Sequence, residues 1–330
     1  MELMWPTLSE LGGDLWKEFV YILPFLLIGV FLEAVIRTFK WHVKIRKVLT
    51  QYGLLSIVIA TLLGVASQLC ACSVLPMVIS LLLAGLPLAP AMALLVTSPV
   101  MSPAGYTLLN WELGPSWANT VLLCAIFMGL FVGFLTHYMR RFGLTEDKIF
   151  RKTLPAGDFH DPDYPVEALR CDCGKQLSHA VERCTHNRLL VFAAKFWEGT
   201  IKIGKFAMLG LVLEVLMSFL IPQEWLSALL EGPGIWPIVT ITLAAIPLHL
   251  PAVTAASMVY GFVSPESGTA ITLAKGAGVA LLVGGPMTAL PVMGILITMF
   301  RKRVLFLYLT LCIVGTLLVA MTVNYLPINL

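Results

Sequence analysis

Two cysteines one residue apart, Cys70 and Cys72, lie in the stretch QLCACSVLPM, where Gln68, Ser73 and Pro76 interrupt an otherwise apolar run. Thiolates are soft ligands that select Cu(I), Zn(II) and ions of similar character, and trivalent arsenic behaves alike. On a regular helix, residues two apart point ~200° apart. Both sulfurs therefore reach one ion only if the backbone leaves the helix there, as the proline and the small polar residues around it favour. The ordinary alternative is that each Cys is a small buried hydrophobe.

Three further groups of residues carry candidate chemistry. The stretch PLHLPAVT, Pro247 to Thr254, sets His249 between two prolines, with Thr254 nearby. An intramembrane His is a ligand or proton-relay candidate, or a side chain hydrogen-bonded within a bundle. Glu33 and Glu214 are ionisable residues inside apolar runs; such groups are costly there and carry coupling protons or pair with a cation. Lys275 lies in the apolar run ITLAKGAGVALL of the second half, either a partner for Glu214 or an attractor for anions. The polar run CDCGKQLSHAVERCTH gathers Cys171, Cys173, His179, Cys184 and His186. Cys/His tracts of this kind bind metal, although the spacing is not that of a zinc finger.

These residues must be held inside a bilayer. The chain has 330 residues, 58% of them hydrophobic and 12% charged, and a mean hydropathy of +0.88. Soluble domains run near ~25% charged, so a soluble fold is excluded. From Val48 to Trp111 there is no Lys, Arg, Asp or Glu. The first Lys, Lys17, follows Glu2, Glu10 and Asp14; without a basic leader, the first span is expected to be retained. Seven cysteines spread over apolar spans and a polar linker do not read as a disulfide framework.

The pattern predicts an all-α polytopic membrane protein with about ten transmembrane or half-spanning helices. They are placed at 19–36, 53–69, 73–84, 89–109, 119–138, 197–221, 235–249, 252–263, 269–298 and 304–325. Interruptions are expected at Ser98-Pro99, at Ser102-Pro103 and at Gly284-Gly285-Pro286, with a loop from Asn110 to Asn119. Residues 1–138 form a first membrane repeat, 139–195 a cytoplasmic linker and 196–330 a second repeat. Basic clusters fall at Arg37–Lys47, in the linker and at Arg301–Arg303. They share one side if each half crosses five times, which puts the linker in the cytoplasm and both termini in the periplasm.

An internal repeat supports that count. A shift of 181 residues carries Glu33 onto Glu214, and Gly53, Ile57, Val58, Thr61 and Leu62 onto Gly234, Ile238, Val239, Thr242 and Leu243. With six extra residues in the second half, Leu94-Leu95-Val96 and Pro99 match Leu281-Leu282-Val283 and Pro286. Two copies with an odd number of crossings are inverted relative to each other. Inverted repeats with broken helices mark secondary transporters, whose sites lie near the midplane at the repeat interface.

The tip Leu69, Cys70, Ala71, Cys72, Leu75 and Pro76, followed by LLLAGLPLAPAMALLVTSPVMSPA, resembles the ArsP/YraQ permease family. So does PLHLPAVTAAS followed by VALLVGGPMT in the second half. The resemblance covers nearly all of the chain except the linker. It implies an inner-membrane efflux permease; members are associated with trivalent organoarsenicals, and relatives with copper or zinc. It carries Cys70 and Cys72 as substrate thiols. The family commonly has a Cys where Pro251 stands here and an aromatic at His249; His249 as substitute ligand shifts the preference toward zinc.

The expectation is a bacterial inner-membrane, multi-pass permease exporting a thiophilic metal or metalloid by alternating access. Gln68, Cys70, Cys72, Ser73, His249 and Thr254 bind substrate, and Glu33 and Glu214 carry the coupling. It is not expected to be an enzyme: there is no Walker A motif, no hydrolase elbow and no dinucleotide fingerprint. No cofactor and no nucleic acid are expected; partners are the soft ion and the lipid bilayer, and a homo-oligomer stays open. Two alternatives remain: an intramembrane thiol oxidoreductase using Cys70 and Cys72, and a transporter of a sulfur-containing anion attracted by Lys275.

Overall fold

The computed structural model describes residues 53–67, 86–139, 189–201, 235–248, 274–288 and 300–326, with scattered positions within 12–35, 74–82, 181, 204–208, 255–260 and 293–297. The described residues are nearly all helical. Seven helices carry the argument: α1 (Leu55–Ala66), α2 (Leu88–Val100), α3 (Pro103–Glu112), α4 (Pro115–Met139), α5 (Ile235–Leu248), α6 (Lys275–Met287) and α7 (Lys302–Tyr325). Three stretches are long and apolar enough to cross a membrane: Leu88–Glu112, which holds α2 and α3, then α4 and α7. At 25 and 24 residues, α4 and α7 rise ~36–38 Å and clear a ~30 Å hydrocarbon core.

Taken singly, the helices that stop at a break are too short for that. α1 has 12 residues and α2 and α6 have 13 each. All three end in extended or non-helical backbone at Ser67, Met101 and Thr288. A rise of ~18–20 Å takes each about two-thirds of the way across.

The interruptions lie where local chemistry permits them. α2 runs on through Ser98-Pro99, because a proline in the last turn removes only one helical hydrogen bond. The break comes two residues later, at extended Met101 and Ser102. Ser102 then restarts the chain as the cap of α3, its Oγ accepting from the Gly105 amide at 3.1 Å, with Pro103 in the first turn. In the second half the helix likewise passes through Gly284-Gly285-Pro286 and stops at Thr288. The expected loop Asn110–Asn119 shrinks to Leu113-Gly114: without acidic or basic clusters to mark ends, its apolar and aromatic residues continue both helices, and Gly114 at φ +91° makes the turn. Helix 189–201 begins inside the stretch read as linker.

α2 and α6 are the centre of the molecule. Every residue of α2 but Pro99, and every residue of α6 but Lys275, is buried. A helix apolar all round belongs inside a bundle. α1 and α4 pack against α2, α5 and α7 pack against α6, and the two groups meet where α2 touches α6 and α4 touches α7. The outer faces of α4 and α7 carry exposed Leu123, Phe127, Phe134, Phe306 and Leu318. Such surface belongs against acyl chains.

At three pairs of positions that the sequence register aligns, burial is alike. Ile57 and Ile238 are buried, as are Thr61 and Thr242. Thr61 donates to the Ile57 carbonyl at 2.8 Å and Thr242 to the Ile238 carbonyl at 2.6 Å. Leu62 and Leu243 both face outward, 53% and 52% exposed.

Small residues set the close approaches, as they must where lipid removes any hydrophobic drive between helices. A Cβ on Gly129 would collide with Thr97 and come within 2.7 Å of Thr61 Cγ2. Gly64 and Gly133 are equally closed, against Thr97 and Ile57. At the matching place in the second group the partners are exchanged: Gly284 on α6 faces Thr316 on α7, with 3.2 Å from its would-be Cβ to Thr316 Cγ2. Gly315 on α7 receives Met128 of α4.

Candidate functional site

The residues assigned to chemistry fall outside the described ones: Gln68, Cys70, Cys72 and Ser73 at the first tip, His249 and Thr254 at the second, Glu33 and Glu214, and Cys171, Cys173, His179, Cys184 and His186 in the linker. What the structure describes is the frame that holds them.

The first tip begins one residue after Ser67. There α1 ends, its last turn closed by the Ser67 amide and hydroxyl on the Gly64 carbonyl at 3.3 and 2.7 Å. The Ser67 hydroxyl also lies 3.2 Å from that of Ser98, in the last turn of α2. The segment carrying Cys70 and Cys72 therefore departs beside the C-terminal end of α2 and close to the Met101-Ser102 break. Both ends present carbonyls, the negative poles of their helices. Pro99 adds to this by leaving the Leu95 carbonyl without its helical donor.

The second tip begins one residue after Leu248, the end of α5. The end of α6 is tied back toward α5 by Thr288, whose hydroxyl donates to Gly284 O at 3.0 Å with Ala245 O at 3.5 Å beside it. Fully buried Tyr308 of α7 donates its hydroxyl to the Met287 carbonyl at 2.8 Å. Cys312 lies one turn on and its thiol contacts the same hydroxyl. Cys124 and Cys312, the two described cysteines, are both buried free thiols.

The span holding Glu33 has a described setting on either side. Val30 and Ala34 are buried, and Phe31 meets Phe192 edge-on at 5.3 Å, so this span packs on helix 189–201. Lys275 opens α6, half-buried. Among the described residues, no three His, Cys, Asp or Glu side chains come together. A groove of about 620 Å³ along the C-terminal half of α4, lined by Phe127, Phe131, Phe134 and Tyr138, is largely apolar and open.

Sequence reasoning did not single out Tyr308, Thr288 or the Thr97–Gly129 contact. One signal was available for Tyr308: a buried Tyr needs a partner for its hydroxyl, and few polar groups lie within the last span.

Short buried helices beside long apolar spans make this a helical membrane protein. Over residues 16–325 the sequence matches the ArsP_1 family, described as predicted permease, and the chain belongs to that family. It is 23% identical over 303 residues to UPF0718 protein YcgR of Bacillus subtilis strain 168, covering 90% of this chain and 92% of that one. No solved structure matches at a significant level.

Proposed function

We propose that the protein exports a thiophilic metal or metalloid from the bacterial cytoplasm, trivalent organoarsenicals or Cu/Zn-type ions being the class of cargo. The observation that carries this is the meeting of α1, the last turn of α2 and the α2–α3 break at Ser67, shortly before Cys70-Ala71-Cys72 in the sequence. A thiol pair next in sequence to the ends of half-length helices suits a soft electrophile. Cargo carried on cellular thiols exchanges onto Cys70 and Cys72, with Gln68, Ser73, His249 and Thr254 around it.

The transport reading is of two inverted halves of five crossings each. The matched burial of Ile57/Ile238 and Thr61/Thr242, and the contacts of α2 with α6 and α4 with α7, support two related halves meeting about a pseudo-two-fold axis. Rocking of one half on the other alternates access, with Glu33 and Glu214 as coupling carboxylates. In this reading the basic segments, the 139–195 linker included, are cytoplasmic and both termini periplasmic. Cys171, Cys173, His179, Cys184 and His186 capture metal before it reaches the membrane.

The test is a sensitive host expressing the wild type or Cys72→Ser, challenged with methylarsenite, antimonite, Cu, Zn and Cd. Resistance to at least one ion, lost in the variant, is expected; full resistance of the variant to every ion removes the assignment. A redox role for the thiol pair predicts mixed disulfides trapped by single Cys→Ala variants and activity that survives collapse of the ion gradient. An anion carrier predicts uptake rather than efflux in vesicles.

A further inference from the structure

Within the two groups the helices pair alike, but the contacts between the groups are one-sided. In the first group Gly129 of α4 meets Thr97 of α2 and Gly133 meets Ala93, so the two helices run in opposite directions. In the second, Thr316 of α7 meets Gly284 of α6 and Ala320 meets Gly276, again in opposite directions. The register that sets Pro99 on Pro286 carries Thr97 onto Gly284, Gly129 onto Thr316 and Met128 onto Gly315. Between the groups, α4 and α7 meet at that last pair. A Cβ on Gly315 would lie 2.6 Å from Met128 Sδ and 2.7 Å from its Cε, so the fully buried Met128 side chain fills the place that Gly315 leaves. A residue that touches its own counterpart lies on the axis relating the halves. Away from that axis the match fails. α6 packs on α4, but α2 has no comparable contact with α7. The lengths of α2 and α6 are equal and those of α4 and α7 differ by one residue, so the difference is one of placement rather than reach.

We infer that this structure is one of two states, which exchange the α4–α6 contact for an α2–α7 contact while Met128–Gly315 stays in place as the pivot. The inference rests on the two-half reading above and names the surfaces that part and meet when the halves rock. In a molecule of two identical halves, an arrangement and the one obtained by exchanging the roles of the halves have equal energy. That exchange leaves a contact between counterparts unchanged, so Met128–Gly315 is common to both states. It turns a contact between α4 and α6 into one between α7 and α2. Each broken helix is thereby packed in turn on the full span of the other half, and then released. Residues that differ between the halves choose between the states; at the axis these are Met128 and Gly315 themselves. A thioether side chain suits a pivot, because its three rotatable bonds let it repack as the helices turn.

Double electron–electron resonance on the full chain in lipid nanodiscs tests this without cargo, so a wrong substrate assignment leaves the result intact. Spin labels on a genetically encoded ketone side chain spare the seven native cysteines. They replace Ser116 and Ala274 to report α4–α6, or the counterparts Arg303 and Pro87 to report α7–α2; all four positions are exposed or half-buried. Helices in contact lie ~8–10 Å apart, so the first pair should give the shorter main distance. Each pair should also show a minor component near the main distance of the other. Met128→Gly combined with Gly315→Met keeps one large and one small side chain at the crossing and reverses their share in the choice, so the minor components should grow severalfold. A disulfide between Met128→Cys and Gly315→Cys should form and leave both distributions as they were. Equal main distances for the two pairs overturn the inference, as does a combined variant with wild-type distributions. So does a disulfide that fails to form or that abolishes one component. If the combined variant does not fold, the wild-type pairs decide: minor components at the exchanged distances support two states, and a single component in each pair overturns them.

Discussion

Gly129→Ala is the most informative single methyl that can be added to this molecule. The new Cβ would fall 2.7 Å from Thr61 Cγ2 and 2.9 Å from Thr61 Oγ1, and nearer still to Thr97 Cγ2; an unstrained contact is ~3.5–4 Å. Neither threonine can yield easily. Both are fully buried, both are β-branched with stiff χ1, and their hydroxyls are bonded at 2.8 Å to the carbonyls of Ile57 and Ala93. Overpacking of this kind costs about 1–3 kcal/mol, and the better helix propensity of Ala returns about 1 kcal/mol. The net is a loss of up to about 2 kcal/mol. Gly284→Ala is the control at the matching place, where one methyl lies at 3.2 Å and a few tenths of an ångström of give suffices; it should be neutral or slightly stabilising. Melting of the detergent-solubilised protein, followed by size-exclusion recovery, should show Gly129→Ala falling ~2–5 °C below wild type and Gly284→Ala at or above it. Thr97→Ser removes the nearest methyl and should restore part of the loss in the double variant. If Gly129→Ala melts with Gly284→Ala, or if Thr97→Ser recovers nothing, the close approach of α2 and α4 is wrong.

Thr136→Val should raise the melting temperature: Thr136 Oγ1 is buried without a hydrogen-bond partner, the cost of such a group is about 1–3 kcal/mol, and buried Val323 stands at the matching position of α7. Ser102→Ala removes the cap that restarts the chain after the break and should cost about 0.5–2 kcal/mol in the same melting assay, with Ser102→Asn retaining most of it. Trp111, 89% exposed at the end of α3, and exposed Lys302 at the start of α7 should lie on opposite faces. A membrane-impermeant maleimide on intact cells should label Trp111→Cys and spare Lys302→Cys; the reverse pattern inverts the topology.

Much of the frame was legible because it is written in periodicity and punctuation. Ser102-Pro103 is a helix-start signature that needs no tertiary context, and the structure restarts the chain there. Apolar runs marked α1, α5 and α7 to within a few residues, since charges bound the long spans and extended turns the short ones. Where the ends carry no charge the boundaries failed: the stretch Asn110–Asn119 looks like a loop only until its apolar residues are seen continuing α3 and α4. The positions of Pro99 and Pro286 misled in the same direction, because a proline in the final turn does not end a helix at once. Of the site, the thiol pair could be named from the sequence, but it lies outside the described residues. The closing hydrogen bonds could not, since the Tyr308 hydroxyl and the Met287 carbonyl meet across 21 residues of chain and no local pattern announces such a pairing.

The exchanged partners at Thr97–Gly129 and Gly284–Thr316 limit what can be recombined. If α4 and α7 traded places, Thr97 would oppose Thr316 across a gap cut for hydrogen, and Gly284 would oppose Gly129 across a gap left empty. α2 with α4, and α6 with α7, are each a fitted set, and a functional chimera must move each pair whole.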